Sequence, residues 1–411
     1  MKLDRDLTGI YLTGLLFMMG NMLPNPIIAG YSVDLGATAV MMSVITGLNS
    51  IVAMICRPFV GNLADSINRY HLAMFGLITM FVGAILQTFA LAPWMLAIGR
   101  VVNGVGFTCS SVCIPAWLAT LLPREHVGRG IGLYGTIAAL AMAIGPGTGV
   151  ILYQTFGYRV AYGTIMAMQG LAIIFIQMVK KNRIINKAER YEKALPVKPA
   201  EPAERGGGAV KRIFSRLVYP KAVPVCSIAL LLCIPYFSTQ TYLVQFTEIK
   251  GFAIAIGLFF PVYAIILAVV RTSISGFVDR VPFKVFFWIG VGSMTIFMLM
   301  LNHMTSNLIM FVTGFFLATG YGMINTVCQS ESVIIAGPGN EGIANGTFYL
   351  GLDVGVTLGT MAGGIVFTHV PTDWFFPCQL IVVPICILIY FTFIRPQERA
   401  RHVQTDQSKT N

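Results

Sequence analysis

The chain has 411 residues, of which 56% are apolar and 11% are charged, and its formal net charge is +11 at pH 7. Because a water-soluble domain carries roughly 25% charged residues, this composition excludes an ordinary soluble domain. The positive excess does not by itself indicate a nucleic-acid partner, because the cytoplasmic loops of membrane proteins collect Lys and Arg.

Long apolar segments predict an all-α membrane protein with twelve spans, because a helix needs about 20 mostly apolar residues to cross a bilayer. The predicted spans are residues 7–30, 37–63, 72–92, 94–122, 128–156, 160–179, 222–246, 251–278, 285–302, 308–330, 343–366 and 374–394. The first apolar run is longer than the core of a signal peptide, so we expect no cleavable signal.

The basic residues predict the orientation of the chain. Residues 180–221 are rich in Lys, Arg, Glu and Pro, which is typical of a solvated linker. If the N-terminus is cytoplasmic, this linker, the tail and most basic loop residues lie inside, as the positive-inside rule expects. The basic residues left in outside loops are Arg159 and Lys250. Both termini are therefore expected in the cytoplasm, and the net charge requires no nucleic acid.

An internal repeat predicts two similar halves. Arg57 and Asp65 stand eight residues apart after span two, and Arg271 and Asp279 repeat that spacing 214 residues later. Glycines match at the same offset: Gly128 with Gly342, Gly132 with Gly346, Gly145 with Gly359, and Gly149 with Gly363. One offset in separate regions predicts two parallel six-helix bundles. The expected domains are residues 1–180, a linker at 181–220, residues 221–395 and a tail at 396–411.

The turn after span two resembles a known signature. Gly61-Asn-Leu-Ala-Asp65-Ser-Ile-Asn-Arg69 is similar to the loop 2–3 motif of the major facilitator superfamily, although Asn68 and Tyr70 depart from that motif. The resemblance extends over the spans, the linker and the repeat. It implies two six-helix bundles, related by a pseudo-two-fold axis, that alternate access to a midplane site.

The same turn is a candidate gating latch. A carboxylate at the end of span two can meet the positive N-terminus of a neighbouring helix and a basic partner, and such a contact forms in one conformation only. The alternative is a solvated loop that merely sets topology. The candidate latch residues are Arg57, Gly61, Asp65, Arg69, Arg271 and Asp279.

Span five contains Gly145-Pro146-Gly147-Thr-Gly149. This run resembles the Gly-Pro signature of proton-coupled antiporters of the superfamily, above all the drug/proton group, although Val150 replaces the final Gly. Small residues four apart allow close helix packing, and a proline bends its helix, so ordinary packing is the alternative. The candidate packing residues of spans five and eleven are Gly145, Pro146, Gly149, Gly359 and Gly363.

Ionisable residues inside spans are costly and point to function. Asp353 lies near the middle of span eleven, where desolvation disfavours the charged carboxylate, so we expect it to exchange a proton. A structural acid paired to Arg, or capped by hydroxyls such as that of Thr357, is the alternative. Arg100 lies in a segment that resembles the span-four basic motif of proton-coupled members. That resemblance implies that it holds a carboxylate or relays its protonation, unless it reaches the outer interface. Glu331 is a second proton site or an interfacial charge.

Polar and aromatic residues in spans one, seven and ten are candidates for substrate binding, because the superfamily resemblance implies that these spans line the cavity. Pro24 and Pro26 interrupt span one, and broken helices mark substrate sites in many transporters. Packing or interface roles are the alternative for each candidate. The candidate substrate-binding residues are Asn21, Asn25, Tyr236, Gln240, Tyr321 and Asn325.

The sequence lacks the motifs that several other functions would need. The eight cysteines fall in apolar stretches and are expected to be small buried hydrophobes rather than metal ligands. There is no Gly-rich phosphate loop with Lys and no nucleophile–base set. We therefore expect neither an ATP-driven pump nor an enzyme, and no cofactor or metal.

These patterns predict a monomeric transporter of an inner or plasma membrane, in contact with lipid, whose partners are a small solute and protons. Export of a small organic or drug-like solute in exchange for protons is the leading hypothesis. A proton symporter or uniporter that imports a metabolite is the first alternative. The second is a non-transporting membrane sensor or binding protein, which the polar linker disfavours.

Overall fold

A computed structural model describes residues 5–122, 127–179, 218–252, 254–275, 281–337 and 341–397. Every regular element in those ranges is a helix, and no strand occurs there. Among the described residues, ten helices are long and apolar enough to cross a membrane, and a shorter apolar helix covers Ile256–Val270. The predicted all-α membrane fold is confirmed, whereas the count of twelve spans stays a prediction.

Among the described residues, seven α-helices precede the central linker. They are α1 (Arg5–Met22), α2 (Ile28–Asp34), α3 (Ala39–Ser66), α4 (Arg69–Thr88), α5 (Pro93–Leu121), α6 (Val127–Phe156) and α7 (Tyr158–Ile176). Residues 23–27, which separate α1 from α2, contain Pro24 and Pro26. Proline has no N–H for a helical hydrogen bond, so the first predicted span is a broken helix.

In the part of the chain after the linker that the structure describes, there are eight α-helices. They are α8 (Val223–Lys250), α9 (Phe259–Ser275), α10 (Phe283–Met300), α11 (Asn307–Leu317), α12 (Ile324–Ala336), α13 (Glu341–Thr357), α14 (Gly363–His369) and α15 (Val382–Ile389). π-helical turns at Ala318–Met323 and Leu358–Ala362 join α11 to α12 and α13 to α14. Each of the predicted spans ten and eleven is therefore a long helix with a widened turn inside it.

The chain divides into two compact units. The first comprises Met1–Gly206, Gln240–Ile249 and Ala255–Ala264, and the second comprises Gly207–Thr239, Lys250–Ile254 and Ile265–Asn411. The C-terminal part of α8 and the start of α9 thus belong to the first unit. The predicted division at the central linker stays a prediction.

Glycines allow α4 and α5 of the first unit to pack backbone to backbone. A Cβ added at Gly106 would lie 2.5 Å from the carbonyl oxygen of Gly76, and one at Gly83 would lie 2.8 Å from that of Gly99. Any larger side chain at these points would separate the helices. This close contact fixes the position of α5, which carries Arg100.

Glycines also hold the π-turn of the second unit against α8. A Cβ at Gly355 would lie 2.7 Å from the carbonyl oxygen of Leu230, and one at Gly359 would lie 2.6 Å from that of Ile234. In addition, the Ser238 hydroxyl donates a hydrogen bond of 2.8 Å to the carbonyl oxygen of Gly359. These contacts place α13, with Asp353, beside α8.

The cysteines are all free thiols, and six of them are buried. Cys56 is partly buried, and Cys378 is exposed. The expectation of uniform burial is therefore wrong at Cys378, which lies in the short 3-10 segment Pro377–Ile381 before α15, on a side of that segment away from the buried Gln379.

Candidate functional site

A group of buried polar side chains lies between α1, α3 and α5, and we call it the polar seam (Asn21, Thr46, Asn49 and Arg100). The Asn49 amide Nδ2 donates to Asn21 Oδ1 over 3.4 Å. Arg100 Nη2 donates to the backbone carbonyl oxygen of Thr46 over 3.1 Å. Thr46 and Asn49 are three residues apart on α3 and so share one helix face. Each of the four side chains is buried.

Arg100 is the charged member of the polar seam, and only 3% of it is exposed. The Tyr162 side chain of α7, which is fully buried, lies close enough to interact electrostatically with the guanidinium. Within the described ranges, no carboxylate pairs with Arg100, and its Nε has no hydrogen-bond partner. The side chain therefore lies inside the helix bundle, which disfavours the alternative that it reaches the outer interface.

A pair of hydroxyl groups connects the polar seam to α8. Thr46 Oγ1 and Tyr242 OH are 2.9 Å apart, and both residues belong to the first unit. Tyr242 is fully buried. Gln240, a predicted substrate-binding residue, is also buried in this part of α8.

In the second unit, Tyr236 and Tyr321 form a stacked aromatic pair. Their ring centroids are 4.1 Å apart, with 16° between the ring planes. The Tyr321 hydroxyl donates to the Cys233 sulfur over 3.8 Å. Both rings are buried, and the stack covers one face of each. These two predicted substrate-binding residues are thus brought together.

Asp353 is partly buried on α13. Its carboxylate lies near enough to interact electrostatically with Cys233, which is fully buried on α8. The Thr357 hydroxyl donates to the backbone carbonyl oxygen of Asp353 over 2.8 Å, so that bond does not cap the carboxylate. The structure therefore places Asp353 beside the aromatic pair's thiol partner.

The remaining candidates for substrate binding and proton coupling are partly buried. Asn325 and Glu331 both lie on α12, and Asn325 Oδ1 has no hydrogen-bond partner among the described residues. Glu331 interacts electrostatically with Cys328. Asn25 lies in the break between α1 and α2, where its Nδ2 donates to the Met22 sulfur over 3.7 Å.

The candidate latch is described only in part. Asn68 caps the N-terminus of α4 by accepting from the Tyr70 N–H over 3.0 Å. Arg69 Nη1 donates to the carbonyl oxygen of Ala116 over 2.8 Å, which joins the start of α4 to α5. Arg57 is partly buried on α3. The remaining latch candidates cannot be placed in a contact. Asp279 lies outside the described residues, and the surroundings of Gly61, Asp65 and Arg271 lie outside them as well.

The Gly-Pro run of α6 packs against two neighbours. A Cβ at Gly145 would lie 3.0 Å from the Met22 Cβ, so this part of α6 touches the end of α1. A Cβ at Gly147 would lie 2.5 Å from the Pro261 Cδ of α9. Pro146 is buried inside α6. The other packing candidates, Gly149, Gly359 and Gly363, are buried as well.

Sequence reasoning missed Thr46, Asn49, Tyr162 and Cys233. A usable signal existed for Asn49, because an amide inside an apolar span needs a hydrogen-bond partner. No comparable signal existed for Thr46, because Arg100 donates its hydrogen bond to the Thr46 backbone carbonyl, a group that every residue type has. Tyr162 and Cys233 look like packing residues until their neighbours are known.

Long apolar helices that bury charged and amide side chains define a multi-pass helical membrane protein of the transporter kind. The family model described as "Major Facilitator Superfamily" matches residues 10–333. The chain therefore belongs to the Major Facilitator Superfamily, and the resemblance seen in the sequence is confirmed at that level.

Three curated relatives illustrate this membership. An uncharacterised MFS-type transporter of Methanocaldococcus jannaschii is 21% identical over 365 residues, which is 89% of this chain and 92% of that protein. The class H tetracycline resistance protein of Pasteurella multocida is 27% identical over 127 residues, 31% of this chain and 32% of that protein. The staphylopine export protein of Staphylococcus aureus is 28% identical over 138 residues, 33% of this chain and 34% of that protein. The match thus spans about a third of each of the last two.

A solved structure supports the fold independently. A crystal structure of the nucleoside transporter NupG superimposes with a TM-score of 0.73 at 10% identity, covering 95% of this chain and 99% of that one. Such low identity supports the shared fold and says nothing of a shared solute.

Proposed function

We propose that this transporter exports a small organic or drug-like solute in exchange for protons, by alternating access. The observation that carries the proposal is the position of Asp353. This carboxyl group lies on the apolar helical stretch Gly346–His369, near the buried Cys233 thiol that the Tyr321 hydroxyl contacts.

The physical argument concerns charge inside the membrane. A carboxylate there is costly, and taking up a proton removes the charge. A partly buried acid can therefore alternate between a charged and a neutral form as it meets one side of the membrane and then the other. Such alternation is what coupling to a proton gradient requires. Arg100 and Glu331 are the other candidates for this path.

Two observations favour export over import. Gly145-Pro146 of α6 resembles the antiporter signature, and the run packs closely against its neighbours. One relative is named as an export protein, although the match covers only a third of its length. A symporter or uniporter on the same fold is the alternative, and the direction of proton movement separates the two.

The proposed partners of the transporter are a small solute, protons and membrane lipid, with no nucleic acid. The proposed working form is a monomer. The protein lies in an inner or plasma membrane with both termini in the cytoplasm, and it catalyses no chemical reaction.

The test uses the purified full-length protein in liposomes that contain a pH-sensitive dye. Wild type and Asp353→Asn are compared while a panel of organic solutes is added under an imposed proton gradient. We expect solute-dependent proton counterflow in wild type and none in Asp353→Asn. The matched control is Asp34→Asn, which removes an exposed carboxylate at the end of α2 and should leave the flow unchanged. Solute movement that depends neither on the proton gradient nor on Asp353 would contradict proton coupling and indicate a uniporter.

A further inference from the structure

Arg100 is a buried cation whose visible partners do not balance its charge. Its one hydrogen bond goes to the Thr46 backbone carbonyl, and its Nε has no partner among the described residues. The guanidinium keeps its charge in proteins. Burying an ion without a counter-ion is strongly unfavourable, so an anion bound at this position would stabilise the buried guanidinium.

The described acids of the first unit lie at other places. Asp6 lies in the first turn of α1, Asp34 at the end of α2, and Glu248 near the end of α8. Asp34 and Glu248 are exposed and interact with Tyr158, not with Arg100. Asp65 is 19 residues beyond Thr46 on α3, which corresponds to about 28 Å along a helix.

A second unsatisfied donor accompanies the guanidinium. The Tyr162 hydroxyl is fully buried, interacts with Arg100, and has no hydrogen-bond partner among the described residues. An N–H and an O–H that both lack an acceptor match the two oxygens of a carboxylate or phosphate group. Because Arg100 Nη2 is already held by α3, the orientation of the guanidinium is fixed in advance.

We infer that Arg100 and Tyr162 form an anion-binding subsite, and that the transported solute carries a carboxylate or phosphate group that binds there. This inference rests on the proposed transport function and names the chemical class of its solute. The solute's anionic group supplies the negative charge that no described carboxylate provides to Arg100. Thr46, whose backbone carbonyl accepts from Arg100, also has its hydroxyl 2.9 Å from the Tyr242 hydroxyl of α8.

The test measures binding and needs no transport. The full-length protein in detergent is titrated with benzoate, with its neutral isostere benzamide and with the cation benzamidine, and thermal unfolding is followed at constant ionic strength. Acetate and inorganic phosphate extend the anion series. We expect at least one anion to raise the wild-type Tm saturably, whereas benzamide and benzamidine do not.

Four variants locate the effect. Arg100→Gln should abolish the anion-dependent shift, and Tyr162→Phe should weaken apparent affinity several-fold. If Arg100→Gln does not fold, Arg100→Lys keeps the charge but loses the forked donors and should bind about tenfold more weakly. Arg395→Gln removes an equal charge from an exposed position in the second unit and should bind as wild type does.

Two results would overturn the subsite. One is an anion-dependent shift of the same size in wild type and in an Arg100 variant. The other is no saturable stabilisation by benzoate, acetate or phosphate. Either result leaves the liposome experiment on Asp353 untouched, so failure of the subsite and failure of proton-coupled export can be told apart.

Discussion

Arg100 and Asp353 are both charged residues inside apolar helices, but they differ in how their charge can be neutralised. The guanidinium keeps its proton, so only an anion can compensate it. The carboxylate can be neutralised by a proton. Arg100 is almost completely buried, whereas Asp353 is partly exposed. Under our two proposals, one residue handles the anionic group of the solute and the other handles the proton.

The hydroxyl of Tyr321 is expected to contribute little to stability. Tyr321→Phe loses the bond to the Cys233 sulfur but keeps the stack on Tyr236, so we expect a loss of at most about 1 kcal/mol. Tyr321→Ala also loses the stack and leaves a cavity, which should cost about 3–5 kcal/mol. Thermal unfolding in detergent measures both. Equal losses in the two variants would show that the hydroxyl, rather than the ring, holds the π-turn Ala318–Met323 in place.

The bond between Thr46 and Tyr242 can be measured by a double-mutant cycle. Thr46→Val and Tyr242→Phe each remove one hydroxyl of the 2.9 Å pair. If the pair interacts as the distance indicates, the double variant should lose about 1 kcal/mol less than the sum of the single losses. Unfolding free energies of the four proteins supply the coupling. Strictly additive losses would contradict the bond.

At the scale of helices, the glycine contact between α4 and α5 should be intolerant of any side chain. In Gly106→Ala, the new methyl group would lie 2.5 Å from the Gly76 carbonyl oxygen and 2.7 Å from Met80. Relieving that overlap should cost about 1–3 kcal/mol. The matched control is Gly163→Ala on α7, where a Cβ meets nothing within 4 Å. That variant should be neutral or slightly stabilised, because Ala favours helix over Gly.

Thermal unfolding of both alanine variants in the same detergent tests this contact. A loss in Gly163→Ala equal to that in Gly106→Ala would mean that glycine matters through backbone flexibility and not through helix approach. In that case the α4–α5 contact would no longer explain how Arg100 is positioned.

The helices were largely predictable because each needs a long apolar run, and the break at Pro24 and Pro26 was predictable because proline lacks a donor. The π-turns at Ala318–Met323 and Leu358–Ala362 were not. One extra residue in a helical turn leaves no compositional trace. The partners of Arg100 were hidden because they depend on how α3 packs against α5, where a Cβ at Gly104 would lie 2.9 Å from the Asn49 carbonyl oxygen.

At the scale of the whole molecule, each of the two compact units is built from segments that are not contiguous in the sequence. α8 begins in the second unit and ends in the first, where Tyr242 bonds Thr46. The predicted repeat relates residues 214 positions apart in sequence, but Asp353 corresponds to Ala139 under that offset. The acid is therefore specific to the second half. The two predicted halves thus differ at this position, as a site for an anion in one half and a proton in the other would require.

Orientation gives the last prediction, because Lys and Arg resist translocation across the membrane. The segment 180–221 and the tail are rich in these residues, whereas Arg159 and Lys250 are the basic residues predicted outside. Alkaline phosphatase, which is active only outside the cytoplasm, is fused after residue 37, after residue 205 and at the C-terminus, with a green fluorescent protein series as the control. We expect phosphatase activity at 37 alone and fluorescence at the other two points. Phosphatase activity at the C-terminus would imply an odd number of spans after a cytoplasmic N-terminus. The two parallel six-helix halves, and the cytoplasmic linker between them, could not both hold in that case.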